Sequence, residues 1–134
     1  MAIVYNKIAR KDPHSKEVKY YPTIKLMGKK KEKDLVERLT RNTTLSRNEA
    51  WMVLGELRQA VLDFLMDSYS VEFSDWASFR PTITAAGADT KETCNANFIK
   101  KVMCRVTVDK DFDYELQKST FVDAGDLHTT DPED

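Results

Sequence analysis

Five cations fall in a strand–loop–strand stretch, Arg80, Lys91, Lys100, Lys101 and Arg105, opposed there only by Asp89 and Glu92. A two-stranded ribbon can lie along a nucleic-acid groove with such cations against phosphates. An ordinary solvated hairpin has the same composition, and charge alone does not choose between the two. A second basic group, Lys29, Lys30, Lys31 and Lys33, stands where a first helix is expected to begin. A helix N-terminus can itself receive a phosphate. No catalytic constellation competes with these groups. The chain has no Gly-rich phosphate loop, no GxSxG and no HExxH. His14, in turn chemistry, and His128, among polar residues, read as solvated side chains. Cys94 and Cys104 form no CxxC pair, so no zinc set can be assembled. The expectation is a protein that is not an enzyme, with no cofactor, no metal and no small-molecule substrate.

The net charge of −1 over 134 residues conceals an asymmetry. Residues 1–33 carry ten Lys/Arg against three acids, and residues 122–134 carry five acids and no Lys/Arg. A basic end and an acidic tail suggest either an anionic partner, modulated by the tail, or simply a soluble surface with both signs on it, and charge alone does not choose. No apolar run approaches the roughly 18–20 residues that span a membrane. The opening MAIVYNKIARKD has no long apolar core of a secretory signal. A cytoplasmic protein without a membrane partner is therefore expected. In that compartment a Cys94–Cys104 disulfide is not favoured. Cys104, in an apolar strand, reads as a small core residue, and Cys94 as an exposed thiol.

The elements that position these residues are organised around one long amphipathic helix. Ser46 with Glu49 has the spacing of a capping box. Behind it Ala50, Val53, Leu54, Leu57, Val61, Phe64 and Leu65 recur at steps of three and four, a helical stripe ending near Asp67-Ser68. The stripe carries more large side chains than one small helix can cover. With Trp76 and Phe79 it implies a second copy of the chain, with Leu54, Leu57, Val61, Phe64, Trp76 and Phe79 as the dimer core. Before it, Ala2–Arg10 and Val18–Leu26 read as a hairpin, with Pro22 making the second strand an edge strand or marking a bulge. Glu32–Asn42 reads as a first helix. After it, Val71–Phe73, Arg80–Thr84 and Phe98–Val108 read as strands, with a tight turn pinned by buried Trp76 and Phe79 rings. Ala85–Asn97 reads as a flexible loop and Asp109–Lys118 as a short helix. The chain divides into an N-terminal β-hairpin (1–28), a central domain (29–121) and a disordered acidic tail (122–134).

The order helix, long helix, strand, turn, strand, arm, strand, helix resembles the HU/IHF family of bacterial histone-like proteins. Val71-Glu72-Phe73-Ser74-Asp75-Trp76-Ala77-Ser78-Phe79 is similar to that family's hydrophobic–x–hydrophobic–Gly–Asp/Asn–Phe–Gly–x–Phe turn, with Ser74 and Ala77 in place of the glycines. Asn97-Phe98-Ile99-Lys100-Lys101-Val102 and Lys110 to Leu116 resemble its returning arm strand and final helix. The opening MAIVYNKIARKDP with its Tyr-Tyr strand resembles the extended HU-HIG group of Bacteroidetes. The resemblance implies an α+β fold: an intertwined homodimer with a helical base and a three-stranded sheet with a protruding β-arm, plus the N-terminal β-hairpin. It implies sequence-tolerant architectural binding of duplex DNA in the nucleoid, through basic arms. The chain departs from the family at the arm, where Ala85–Asn97 contains no Pro, and before the last helix, where Val108-Asp109-Lys110 replaces Pro-Gly-Lys. Those departures and the acidic balance favour an alternative: an HU-fold dimer serving as a structural or protein-interaction module with weak or lost DNA binding.

Overall fold

An opening rich in Ile, Val and Tyr forms the ten-residue strand β1 (Ala2–Lys11), and the chain returns as β2 (Val18–Ile24). Between them Asp12 accepts from the His14 N–H at 2.9 Å and from the Ser15 hydroxyl at 3.0 Å, closing the turn. Lys16 takes φ +58°, a left-handed residue that completes it. Pro22 lies on the edge strand, as its missing N–H requires. The computed structural model describes residues 1–127.

Helix α1 (Glu32–Asn42) is followed by α2 (Arg47–Met66). The capping box is present in full: the Ser46 hydroxyl accepts from the Glu49 N–H at 3.2 Å, and the Glu49 carboxylate accepts from the Ser46 N–H at 3.1 Å. Val36 and Ala50 are the fully buried residues of this helical pair. Strands β3 (Val71–Glu72), β4 (Ala77–Ala85) and β5 (Ile99–Val108) form an antiparallel sheet in that order. Helix α3 (Lys110–Gln117) and strand β6 (Thr120–Asp123) complete the described chain. The fold is thus α+β, as the pattern implied.

Two compact units result, residues 1–31 with 116–134, and residues 32–115. The first holds the sheet β2–β1–β6 and the second the sheet β3–β4–β5 with α1 and α2.

Three expectations need correction. Residues 122–123 are not part of a disordered tail: β6 pairs in parallel with β1, Ile3 opposite Phe121 and Val4 opposite Val122. Lys7 Nζ lies 2.9 Å from Asp123 Oδ2 and ties the two strands. The Asp123 carboxyl is held below its usual range, first by the Gly125 N–H and then by Lys7; the Lys7 amine is raised by the same contact. The rest of the expected tail beyond Leu127 lies outside the described residues. Second, Cys104 is not a core residue but is exposed, like Cys94. It does share a sheet face with Val102, Val106 and Val108, and that face is uncovered in the single chain. Third, the turn is not pinned by two buried rings. Trp76 is 46% exposed and Phe79 half-buried, and both pack on Phe73, at 5.1 and 5.9 Å between ring centroids.

The turn itself is held by backbone. The Phe73 N–H donates to Ala77 O at 2.8 Å, and Asp75 takes φ +63° where the family has Asp or Asn, residues that tolerate that conformation.

Candidate nucleic-acid interface

The register of β4 and β5 decides which cations act together. Arg80 stands opposite Arg105, Thr84 opposite Lys101, Thr82 opposite Met103 and Ser78 opposite Thr107. Successive side chains alternate across a sheet. One face of the ribbon therefore carries Arg80, Lys101 and Arg105 with Ser78, Thr82, Thr84, Thr107 and Met103. The other carries Phe79, Pro81, Ile83, Val102, Cys104 and Val106. The register slips between Thr84 and Ala85, leaving Lys100 as the extra residue of a bulge. A bulge re-aims the side chain it inserts, so Lys100 departs from strict alternation.

Arg80 and Arg105 are directly cross-strand, a like-charge pair that destabilises a sheet unless an anion bridges it. Both are exposed, as are Lys100 and Lys101. The structure thus brings together three of the five ribbon cations on one face, with Lys100 beside them.

Lys91 belongs to the loop between the strands. That loop is locally ordered: the Thr90 and Thr93 hydroxyls lie 2.9 Å apart, and the Thr93 N–H donates to Thr90 Oγ1 at 3.2 Å. The Cys94 N–H donates to Lys91 O at 3.3 Å. Asn95 then caps a single 3-10 turn, Ala96–Phe98.

The structure does not place the second basic group on the ribbon. Lys29–Lys31 fall in the unit that contains β1. Lys33 sits in the first turn of α1 between Glu32 and Asp34, acids that suit the positive end of a helix and offset the lysine.

The residues expected to meet a second copy are open in the single chain. Leu57 is 39% and Phe64 54% exposed, while Leu54 and Val61 are half-buried. Sequence reasoning missed Trp51, Met52, Leu62 and Met66, which are also exposed on α2. Their helical positions widen the apolar arc well beyond the stripe, and that breadth was the signal available. Where α2 ends, Leu62, Leu65 and Met66 line an open apolar groove with Pro81, Val102 and Cys104.

At the base of the ribbon the Asp109 N–H donates to Trp76 O at 2.7 Å, and Asp109 Oδ1 accepts from the Asp111 N–H at 2.9 Å. Asp109 therefore caps α3 where the family has Pro-Gly. The neighbouring Asp109 carboxylate, then slight burial, then Asp75 raise the Asp111 carboxyl above its usual range. Among the described residues no group of His, Cys, Asp or Glu could hold a metal ion.

The sequence profile of the HU-HIG family, an HU domain fused to a wHTH, Ig or glycine-rich motif, matches residues 1–122. The chain belongs to the HU-HIG family. No curated protein matches it. In fold, this HU-HIG chain is similar to a solved structure from Bacteroides vulgatus ATCC 8482 described as a "Putative bacterial DNA binding protein". The TM-score is 0.64 at 10% sequence identity, over 91% of this chain and 48% of that one. The chain therefore spans about half the length of that neighbour. No helix among the described residues is long and apolar enough to cross a membrane.

Proposed function

We propose that this HU-HIG chain is a homodimeric, sequence-tolerant DNA-binding protein of architectural type that acts in the bacterial nucleoid. Its β4–β5 ribbons serve as arms along duplex DNA. The observation that carries this reading is the cross-strand pair Arg80–Arg105 with Lys101 on the same polar face, set against an apolar opposite face. Paired guanidiniums on an exposed ribbon suit phosphates, each guanidinium donating two parallel N–H groups to a phosphate's oxygens in fork geometry. On this reading its cations and threonine hydroxyls meet phosphates rather than base edges, so binding follows backbone and shape. Family membership and the DNA-binding description of the structural neighbour support it. The loop carries no Pro to wedge between base steps, so any bend comes from wrapping rather than proline intercalation.

One observation favours a second reading, an HU-fold dimer that works as a protein-interaction module. Residues 32–115 hold eleven Lys/Arg against fifteen Asp/Glu, a net −4 on the unit that carries the ribbon. Titrating a random-sequence duplex across ionic strength separates the two. Each phosphate neutralised contributes about −0.9 to the slope of log affinity on log salt. A steep slope that flattens in Arg80→Gln/Arg105→Gln supports the DNA reading. No binding by the wild type at low salt supports the interaction module and ends the first reading.

A further inference from the structure

The β2–β1–β6 sheet, in the unit that does not contain the ribbon, has an exposed face of its own. Its register puts Tyr5 opposite Ile24, Lys7 opposite Pro22, Ala9 opposite Tyr20 and Ile3 opposite Phe121. Ile3, Tyr5, Pro22, Ile24, Tyr20 and Phe121 therefore share one side and line an open groove of about 620 Å³ with Lys7. Tyr20 is 71%, Phe121 66% and Ile24 66% exposed. Contiguous apolar surface of this kind on a small unit marks an interaction site.

Charge points to the occupant. Residues 1–31 with 116–134 hold ten Lys/Arg and seven Asp/Glu, a net +3. Lys7 and Lys11 stand on the grooved face itself. Lysine is depleted in the cores of protein–protein interfaces. Exposed rings on a sheet flanked by cations are instead the arrangement that stacks unpaired bases and tracks a phosphate backbone. Asp123 holds Lys7 at the groove at 2.9 Å, and an ammonium has three donors, so Lys7 can keep that partner and still meet a phosphate. Tyr5, Tyr20 and Thr23 hydroxyls line the groove with Ile3, Pro22, Ile24 and Phe121, so the wall itself does not select the sugar. An unpaired DNA strand is the occupant because the ribbon is read as a binder of duplex DNA.

We propose that the exposed face of the β2–β1–β6 sheet binds single-stranded DNA, with Tyr20 and Phe121 stacking bases and Lys7 and Lys11 receiving phosphates. The site uses none of the ribbon's residues; only the choice of DNA as the strand rests on the duplex reading. The test uses the full chain and fluorescein-labelled oligo-dT of about 15 nucleotides, with oligo-U and a duplex of equal length alongside. Tyr20→Thr keeps a strand-forming residue at an exposed position. It should weaken oligo-dT binding about tenfold, within the range of one lost base–ring stack, and leave duplex affinity unchanged. Tyr20→Phe should retain oligo-dT affinity, and Arg80→Gln/Arg105→Gln should lower duplex affinity alone. Absence of oligo-dT binding at low salt, or equal binding by Tyr20→Thr, overturns the proposal. Oligo-U binding tighter than oligo-dT overturns the choice of DNA. A changed sedimentation behaviour of Tyr20→Thr with oligo-dT affinity intact would show the face to be a contact between copies, and would also overturn it.

Discussion

Arg80 and Arg105 face one another across two strands, with Glu72 of β3 set diagonally to Arg80 on the same face. Cross-strand pairs are worth roughly 0.2–1 kcal/mol, and like charges spend that amount against folding. A residue pair that costs stability and is exposed points to a ligand of opposite charge. Arg105→Thr should therefore stabilise the free protein by up to about 1 kcal/mol in urea unfolding at fixed concentration, while reducing the DNA salt slope by about one. Loss of stability would mean that the guanidiniums are not in conflict. Two carboxylates make opposite predictions in acid. The folded pKa of Asp123 is depressed, so its contribution to stability is present above the ordinary carboxylate range and is lost as pH falls through the folded value. Asp123→Asn should expose the β1 amides near Ile3–Tyr5 to faster hydrogen exchange at pH 7, and the difference from wild type should vanish at strongly acid pH. The folded pKa of Asp111 is raised, so its ionisation works against folding as pH rises through that value. Asp111→Asn should raise the melting temperature at pH 7 and not below about pH 3, under the ordinary carboxylate pKa.

At the scale of elements, α2 begins where Ser46 and Glu49 exchange hydrogen bonds with each other's N–H groups. Ser46→Ala should cost about 1 kcal/mol, and Ser46→Asp should recover most of it, read by thermal unfolding. This cap, both helix bounds, the N-terminal hairpin and the apolar alternation of β5 were legible in the sequence because each is a local pattern of caps, periodicity or turn chemistry. Strand β6 was not. Its four residues carry no alternation long enough to register, and its partner Ala2–Tyr5 is more than a hundred residues away. The ribbon's cations were legible as a group, but their division between faces was not. That division depends on register, and the slip at Thr84–Ala85 moves Lys100 out of step with Lys101. Exposure of Cys104 was illegible for a different reason. Alternation shows which side chains share a face, not whether anything covers that face.

The whole molecule leaves its longest helix uncovered. Leu57, Phe64, Trp51, Leu62 and Met66 on α2 are each at least 39% exposed, as are Val102, Val106 and Val108 on the apolar face of β5. A helix apolar around much of its circumference belongs inside a core, yet Val4, Val36, Ala50 and Ala77 are the buried apolar residues among the described ones. Exposed apolar area on this scale, at about 25 cal/mol per Å² once buried, is sufficient to drive obligate association. The protein should therefore fold as a dimer, with Leu54, Leu57, Val61, Phe64, Trp76 and Phe79 of each chain against its partner. Folding and assembly then form one equilibrium, so the melting temperature should rise with protein concentration. Leu57→Asp would place a carboxylate in an apolar interface with no partner, costing several kcal/mol, and should yield unfolded chains rather than stable monomers. Light scattering of the wild type at micromolar concentration reads the state directly. A folded monomer there, melting at a temperature independent of concentration, would overturn the dimer and with it the pairing of two ribbons about one duplex.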